Sequence, residues 1–103
     1  QAPQFIENCG YYHSPDYPAM WGALEVISRP AMEKFYLNAR QCLAAIDYRD
    51  IGEDLFMRRC LIRLGVTGYF DENMVADKLC HGFAGCHETS KAAYHPFKDV
   101  GAW

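Results

Sequence analysis

Positive charge is scarce and scattered in this sequence. Ten Lys and Arg stand against thirteen Asp and Glu, a net charge of −3, and no basic run exceeds the pair Arg58-Arg59. So little clustered positive charge cannot neutralise a row of phosphates, which argues against nucleic acid as the main partner. Long apolar runs are missing as well: none approaches the roughly 18 uncharged residues of a membrane span. Gln1 to Gly10 lack the basic start and apolar centre of a secretory leader, so we expect a soluble or peripheral chain whose targeting segment is absent or already removed. The Gly-x-Gly-x-x-Gly and Gly-Lys-Ser/Thr loops are absent, which excludes nucleotide binding by those routes. Gly-x-Ser-x-Gly is absent too, as is any Asn-x-Ser/Thr acceptor for N-glycosylation. Asp-x-Asp occurs nowhere.

What is present belongs to a folded domain. Half of the 103 residues are apolar and 15% are aromatic, too many for a disordered tail. A chain of this length buries roughly 65% of its unfolded surface, which leaves room for one core and excludes a two-domain enzyme within these residues. Five cysteines are more than a cytosolic chain usually carries, so an oxidising compartment is expected. Five is odd, and two internal disulfides leave one thiol over.

Along the chain, Pro3, Gly10, Pro15 and Pro18 mark the first 20 residues as an irregular arm without regular elements. Ala23 to Ser28 alternates Ala23, Glu25 and Ile27 with Leu24, Val26 and Ser28, which suits a short strand. Pro30 to about Ala45 reads as an amphipathic helix with Met32, Phe35, Ala39 and Leu43 inward and Glu33, Lys34, Asn38 and Arg40 outward. After a polar loop from Asp47 to Gly52, Glu53 and Asp54 sit in the first turn of a second helix, where negative charge suits the dipole. Met57, Cys60, Leu61 and Leu64 then recur at helical spacing, and Gly65 supplies the stop. From Val66 onward the chain reads as irregular, with one helical turn around Glu72 to Lys78.

Three constellations could carry chemistry. Gly52-Glu53-Asp54-Leu55 places a carboxylate at a helix start beside a loop, where it acts either as a proton acceptor or as a capping group. Tyr94-His95-Pro96-Phe97 holds a histidine beside a rigid proline, as a metal ligand or as a hydrogen-bonded loop residue. Cys80-His81 and Cys86-His87 match no usual zinc spacing, so a Cys80–Cys86 disulfide is the simpler reading. Cys9 is then the odd thiol, with pairing of Cys9 to Cys80 or Cys86 as the alternative.

In order, Trp21-Gly22-Ala23-Leu24-Glu25-Val26-Ile27-Ser28, Pro30 to Phe35, Cys42, the Glu53-Asp54 helix, Phe70 to Met74 and Tyr94 to Phe97 form a recognisable series. It resembles the C-terminal half of the GT-A fold inverting β-1,3-glycosyltransferases of the Fringe and core 1 galactosyltransferase type. That family's Glu-Asp-x-x-x-Gly-x-Cys pattern corresponds to Glu53 through Cys60. The resemblance implies Asp54 as catalytic base with Glu53 beside it, and Trp21 and Gly22 in the floor between donor and acceptor. It implies His95 as a late ligand of Mn²⁺ on a nucleotide-sugar donor, and a Cys42–Cys60 disulfide between the two helices.

The same comparison shows what is thinned. The family's Gly-Gly-Ala-Gly turn keeps only Gly22 here, and the Asp-x-Asp of the donor half has no counterpart. We therefore expect an irregular arm over residues 1–20 and a glycosyltransferase-like subdomain over residues 21–103. The expected fold is a small disulfide-stapled α+β unit, two helices on a short β element with long irregular loops. The expected role is a non-catalytic structural or binding module that needs no cofactor, partnered by other protein subunits, by the missing N-terminal half or by glycans. The alternative is a fragment of an active, Mn²⁺-dependent enzyme using a UDP-sugar.

Overall fold

In the computed structural model, residues 2–10, 18–22, 24–71, 73–77 and 90–95 are described. Helix formation begins at Ser28, whose extended backbone and Oγ, accepting from the Ala31 N–H, make it an N-cap. Pro30 lies in the first turn, where its missing N–H costs nothing, and helix α1 runs over Arg29–Ala45. The Ser28 hydroxyl also accepts from the Gln4 N–H at 2.9 Å and donates to the Ala2 carbonyl at 3.1 Å. One cap thus ties the helix start to the beginning of the chain.

That beginning is a strand. β1, Gln4–Glu7, lies between two extended segments. On one side the Ile6 N–H donates to the Val26 carbonyl, the Ser28 N–H donates to the Gln4 carbonyl, and Phe5 bridges Ile27 antiparallel. On the other, β2, Thr67–Phe70, pairs with it in parallel, Gln4 opposite Thr67 and Glu7 opposite Phe70. The expectation of an arm without regular elements is corrected here. Alternation was hidden because the two buried positions are Phe5 and Glu7. Of the strand expected over Ala23 to Ser28, the described residues 24–28 reach β1 through only these few bonds.

Helix α2, Glu53–Arg63, starts at Gly52, which offers no side-chain cap, and Glu53 and Asp54 supply charge in its first turn. It ends in a Schellman arrangement: the Gly65 N–H bonds the Ile62 carbonyl and the Val66 N–H the Leu61 carbonyl, both at 3.0 Å. Gly65 has φ 79°, a left-handed conformation that favours glycine. The turn sends Val66 straight into the core and the chain into β2. Beyond it, β3 (Val75–Asp77) pairs in parallel with β4 (Ala93–His95), so the helical turn expected near Glu72 to Lys78 is a strand at its centre. Three-residue parallel strands carry no periodicity to read.

The core gathers Phe5, Met20, Ala31, Leu61 and Val66, with Ile27, Phe35, Met57 and Leu64 packed against it. α2 buries the face its spacing predicts. α1 is rolled: Ala31 and Cys42 are fully buried, whereas Met32 and Leu43, expected inward, are 39% and 49% exposed. The cause is the Cys42–Cys60 disulfide, with both sulfurs buried and Cα atoms 5.5 Å apart, which turns Cys42 and Ala31, three turns away, toward α2. The family resemblance implied this bond, and closing its loop contributes roughly 3 kcal/mol in the chain-entropy account. Cys9, expected as the odd thiol, is instead disulfide-bonded and fully buried. The Cys80–Cys86 expectation, like the partner of Cys9, lies outside the described residues.

Together these elements form the small α+β unit expected, stapled by Cys42–Cys60, which is compatible with an oxidising compartment. Among the described residues no helix is long and apolar enough to cross a membrane.

Candidate functional site

At the C-terminal end of β1, Asn8 is almost wholly buried and uses its whole amide to hold the turn at Trp21–Leu24. Its Nδ2 donates to the carbonyls of Trp21 at 3.2 Å and Leu24 at 2.7 Å, and its Oδ1 accepts from the Trp21 N–H at 2.8 Å. The turn is closed by the Leu24 N–H reaching the Trp21 carbonyl. With the Trp21 N–H held from behind, the next main-chain donor, Gly22 N–H, points at the head of α2. There it meets Asp54, donating to Oδ2 at 2.8 Å. The other oxygen, Oδ1, accepts from the Leu55 N–H at 2.9 Å.

Gly52 leaves this carboxylate room: a Cβ there would come to 2.8 Å from Asp54 Oδ1, whereas one on Gly22 would lie 3.4 Å from Oδ2, an ordinary contact. Asp54 is positioned as an acceptor by the two main-chain N–H groups it bonds. Two of its roughly four lone-pair positions take main-chain N–H groups, which leaves two for a hydroxyl or amide from outside.

Glu25, on the segment leaving the turn, adds a second carboxyl. Loss of hydration at its carboxyl, the charge of Glu53, a hydrogen bond shared with Glu53, and the charge of Asp54 push its pKa up from the ordinary 4.5 to about 7. Two carboxyls share a hydrogen bond only when one of them carries a proton, so the Glu25–Glu53 contact holds a proton to higher pH than an isolated carboxyl would.

Below this layer Glu7 faces Arg58 of α2, whose Nη2 and Nε donate to Oε2 at 3.3 and 3.4 Å. Both side chains are about nine-tenths buried. Gly68 on β2 lies directly against the Glu7 carboxylate.

The structure thus brings together Gly22 and Asp54, with Trp21 and Glu53 as their immediate neighbours in the turn and the helix head. Glu25 and Asn8 complete the group and were not singled out from sequence. Glu25 stood in plain view on the alternating 23–28 segment beside Gly22, whereas nothing in the sequence marks Asn8 as buried. His95 occupies β4 opposite Asp77; its side chain lies outside the described residues. Among the described residues no group of three or more His, Cys, Asp or Glu is placed to hold a metal ion.

Compared with known proteins, the chain matches no family model, no curated protein and no solved structure.

Proposed function

We propose that this chain is a glycosyltransferase-like domain serving as a non-catalytic module of a larger assembly, with a glycan-facing surface at the Trp21–Leu24 turn and the head of α2. Its setting is an oxidising one, the lumen of the secretory pathway or the extracellular space, where the Cys42–Cys60 bond persists. The observation that carries the reading is the Gly22–Asp54 hydrogen bond, which joins two of the motifs of the family resemblance, the Trp21–Ser28 segment and the Glu53-Asp54 helix, at one place. With both oxygens held by main-chain N–H groups, Asp54 offers sugar hydroxyls a carboxylate whose orientation is already fixed, so little ordering entropy is lost on binding.

The test is a titration of the ¹⁵N-labelled chain with galactose, N-acetylgalactosamine and N-acetylglucosamine. Saturable shifts of the Gly22 and Leu55 amides that vanish in Asp54→Ala are expected, with no consumption of UDP-sugars in the presence of Mn²⁺. Amides that stay still with every sugar would remove the proposal.

One observation favours the second reading, an active transferase acting through this group. A carboxyl whose pKa is raised toward neutrality is suited to take a proton from an acceptor hydroxyl, and Glu25, which meets Glu53 beside the Gly22–Asp54 pair, is that group. Mn²⁺-dependent release of UDP from a UDP-hexose, abolished in both Glu25→Gln and Asp54→Asn, would establish it in place of the module.

A further inference from the structure

α1 has two opposed faces. Ala31 and Cys42 point inward, while Tyr36 and Leu37 at the middle of the helix are 83% and 78% exposed. Met32 and Leu43 extend the same outer face and are exposed as well. An apolar stripe of this kind at mid-helix is unusual on a surface that meets only water.

The charges on that face are arranged to meet themselves. Glu33 and Arg40 are exposed, of opposite sign and seven residues apart, hence on one line of the helix. Arg29 stands at the helix N-terminus, where its charge opposes the dipole, and the last turn carries no basic residue. Glu33 meets Arg29 at 3.2 Å, but both side chains are well over half exposed, so that contact is weak and easily exchanged.

We propose that α1 is a self-association surface on which α1 of a second copy of this chain packs antiparallel about a twofold axis. In such a pair, facing residues have numbers that add to a constant. With the axis between Tyr36 and Leu37, Tyr36 lies against the partner subunit's Leu37, and Glu33 faces the partner subunit's Arg40, twice by symmetry. Arg29 reaches the C-terminal end of the partner helix, whose unpaired carbonyls carry the negative pole that the chain itself leaves uncompensated. Centring the pair a half-turn earlier, between Lys34 and Phe35, would set Arg29 against the partner subunit's Arg40, so charge selects the register. A helix of this length is about 25 Å long, and the contact buries on the order of 1,000 Å² over both copies, at the low end of specific interfaces. A weak, concentration-dependent dimer follows.

The experiment is sedimentation velocity on the full chain under non-reducing conditions, any accessible thiol alkylated, from about 5 to about 500 µM. A concentration-dependent monomer–dimer equilibrium is expected. Glu33→Arg and Arg40→Glu should each weaken it about tenfold or more, and the double reversal should restore it, because each reversed charge again meets its opposite. All these side chains are exposed, and far-UV circular dichroism checks that each variant keeps its helices. A chain that stays monomeric at the highest concentration overturns the proposal and leaves this face to a different protein. So does a dimer indifferent to the single reversals, or one that the double reversal fails to recover.

Discussion

α2 is held at its two ends by different kinds of bond. Toward its C-terminus it meets α1 and the core through Cys60, Leu61 and the Cys42–Cys60 bridge. Toward its head it meets the end of β1 and the Trp21–Leu24 turn through polar groups, Glu7 with Arg58 and Gly22 with Asp54, with Asn8 behind them. Apolar contact is proportional to area and nearly indifferent to angle. Hydrogen bonds weaken steeply when misaligned. Both seams therefore contribute stability, and the second also sets where Asp54, Gly22 and Glu25 stand relative to one another.

The sharpest way to break the polar seam is from the neighbouring strand. In Gly68→Ala the new methyl group would run into the Glu7 carboxylate, and Glu7 cannot move without leaving Arg58. Breaking a buried pair of this kind costs about 3–5 kcal/mol, so urea unfolding should show a loss of that size. A loss under about 1 kcal/mol would mean that the pair rearranges freely and that this seam is not rigid. The apolar seam gives the contrasting result. Replacing Cys42 and Cys60 together by alanine should cost about 3 kcal/mol, while the Gly22 and Leu55 amide resonances keep their positions. Movement of those resonances in the double variant would show that the two seams are coupled.

Asn8→Ala sharpens the comparison at an intermediate magnitude. It deletes three hydrogen bonds at a buried position, so that the Trp21 N–H and the Leu24 carbonyl lose their Asn8 partner, at about 2 kcal/mol. Its larger signature is positional. The Gly22 amide should shift strongly and the sugar response should fall, although Asn8 touches no ligand. A variant that loses stability but keeps both would reduce Asn8 to a packing residue.

Sequence patterning read the apolar seam well and the polar seam poorly. α2 was legible because Met57, Cys60, Leu61 and Leu64 repeat at helical spacing and Gly65 ends it. The span of α1 was legible from Ser28 and Pro30, but its roll was not. Met32, Leu43 and Ala31 are all acceptable inward residues, and the choice among them rests on a covalent bond to a distant cysteine. β1 escaped notice because a buried glutamate reads as a surface residue until its arginine, 51 positions away, is brought to it. The meeting of Gly22 with Asp54, 32 residues apart, was suggested only through the family resemblance. Glu25 required geometry, since nothing in one dimension shows that its carboxyl meets Glu53.

The smallest effect tests that last point. Glu25 has its pKa raised to about 7 in the folded chain, against an ordinary 4.5 when unfolded. A carboxyl raised on folding favours the native state most when both states hold the proton, below about pH 4.5. That advantage drains away as pH climbs through 7, because the unfolded chain releases its proton first and the folded chain must then hold an unfavourable charge. Other carboxylates act in the opposite direction at lower pH, so the clean comparison is with Glu25→Gln, which holds the neutral form throughout. Because much of Glu25 is exposed and solvent screens its neighbours, the differential should be only about 1 kcal/mol between pH 4.5 and 7.5. Glu25→Gln should therefore match the parent at pH 4.5 and exceed it at pH 7.5, and Glu53→Gln, which removes the first like charge, should recover part of the same gain. Parallel pH profiles for parent and Glu25→Gln would mean that Glu25 and Glu53 do not meet, and the carboxyl group beside Gly22 would reduce to Asp54 alone.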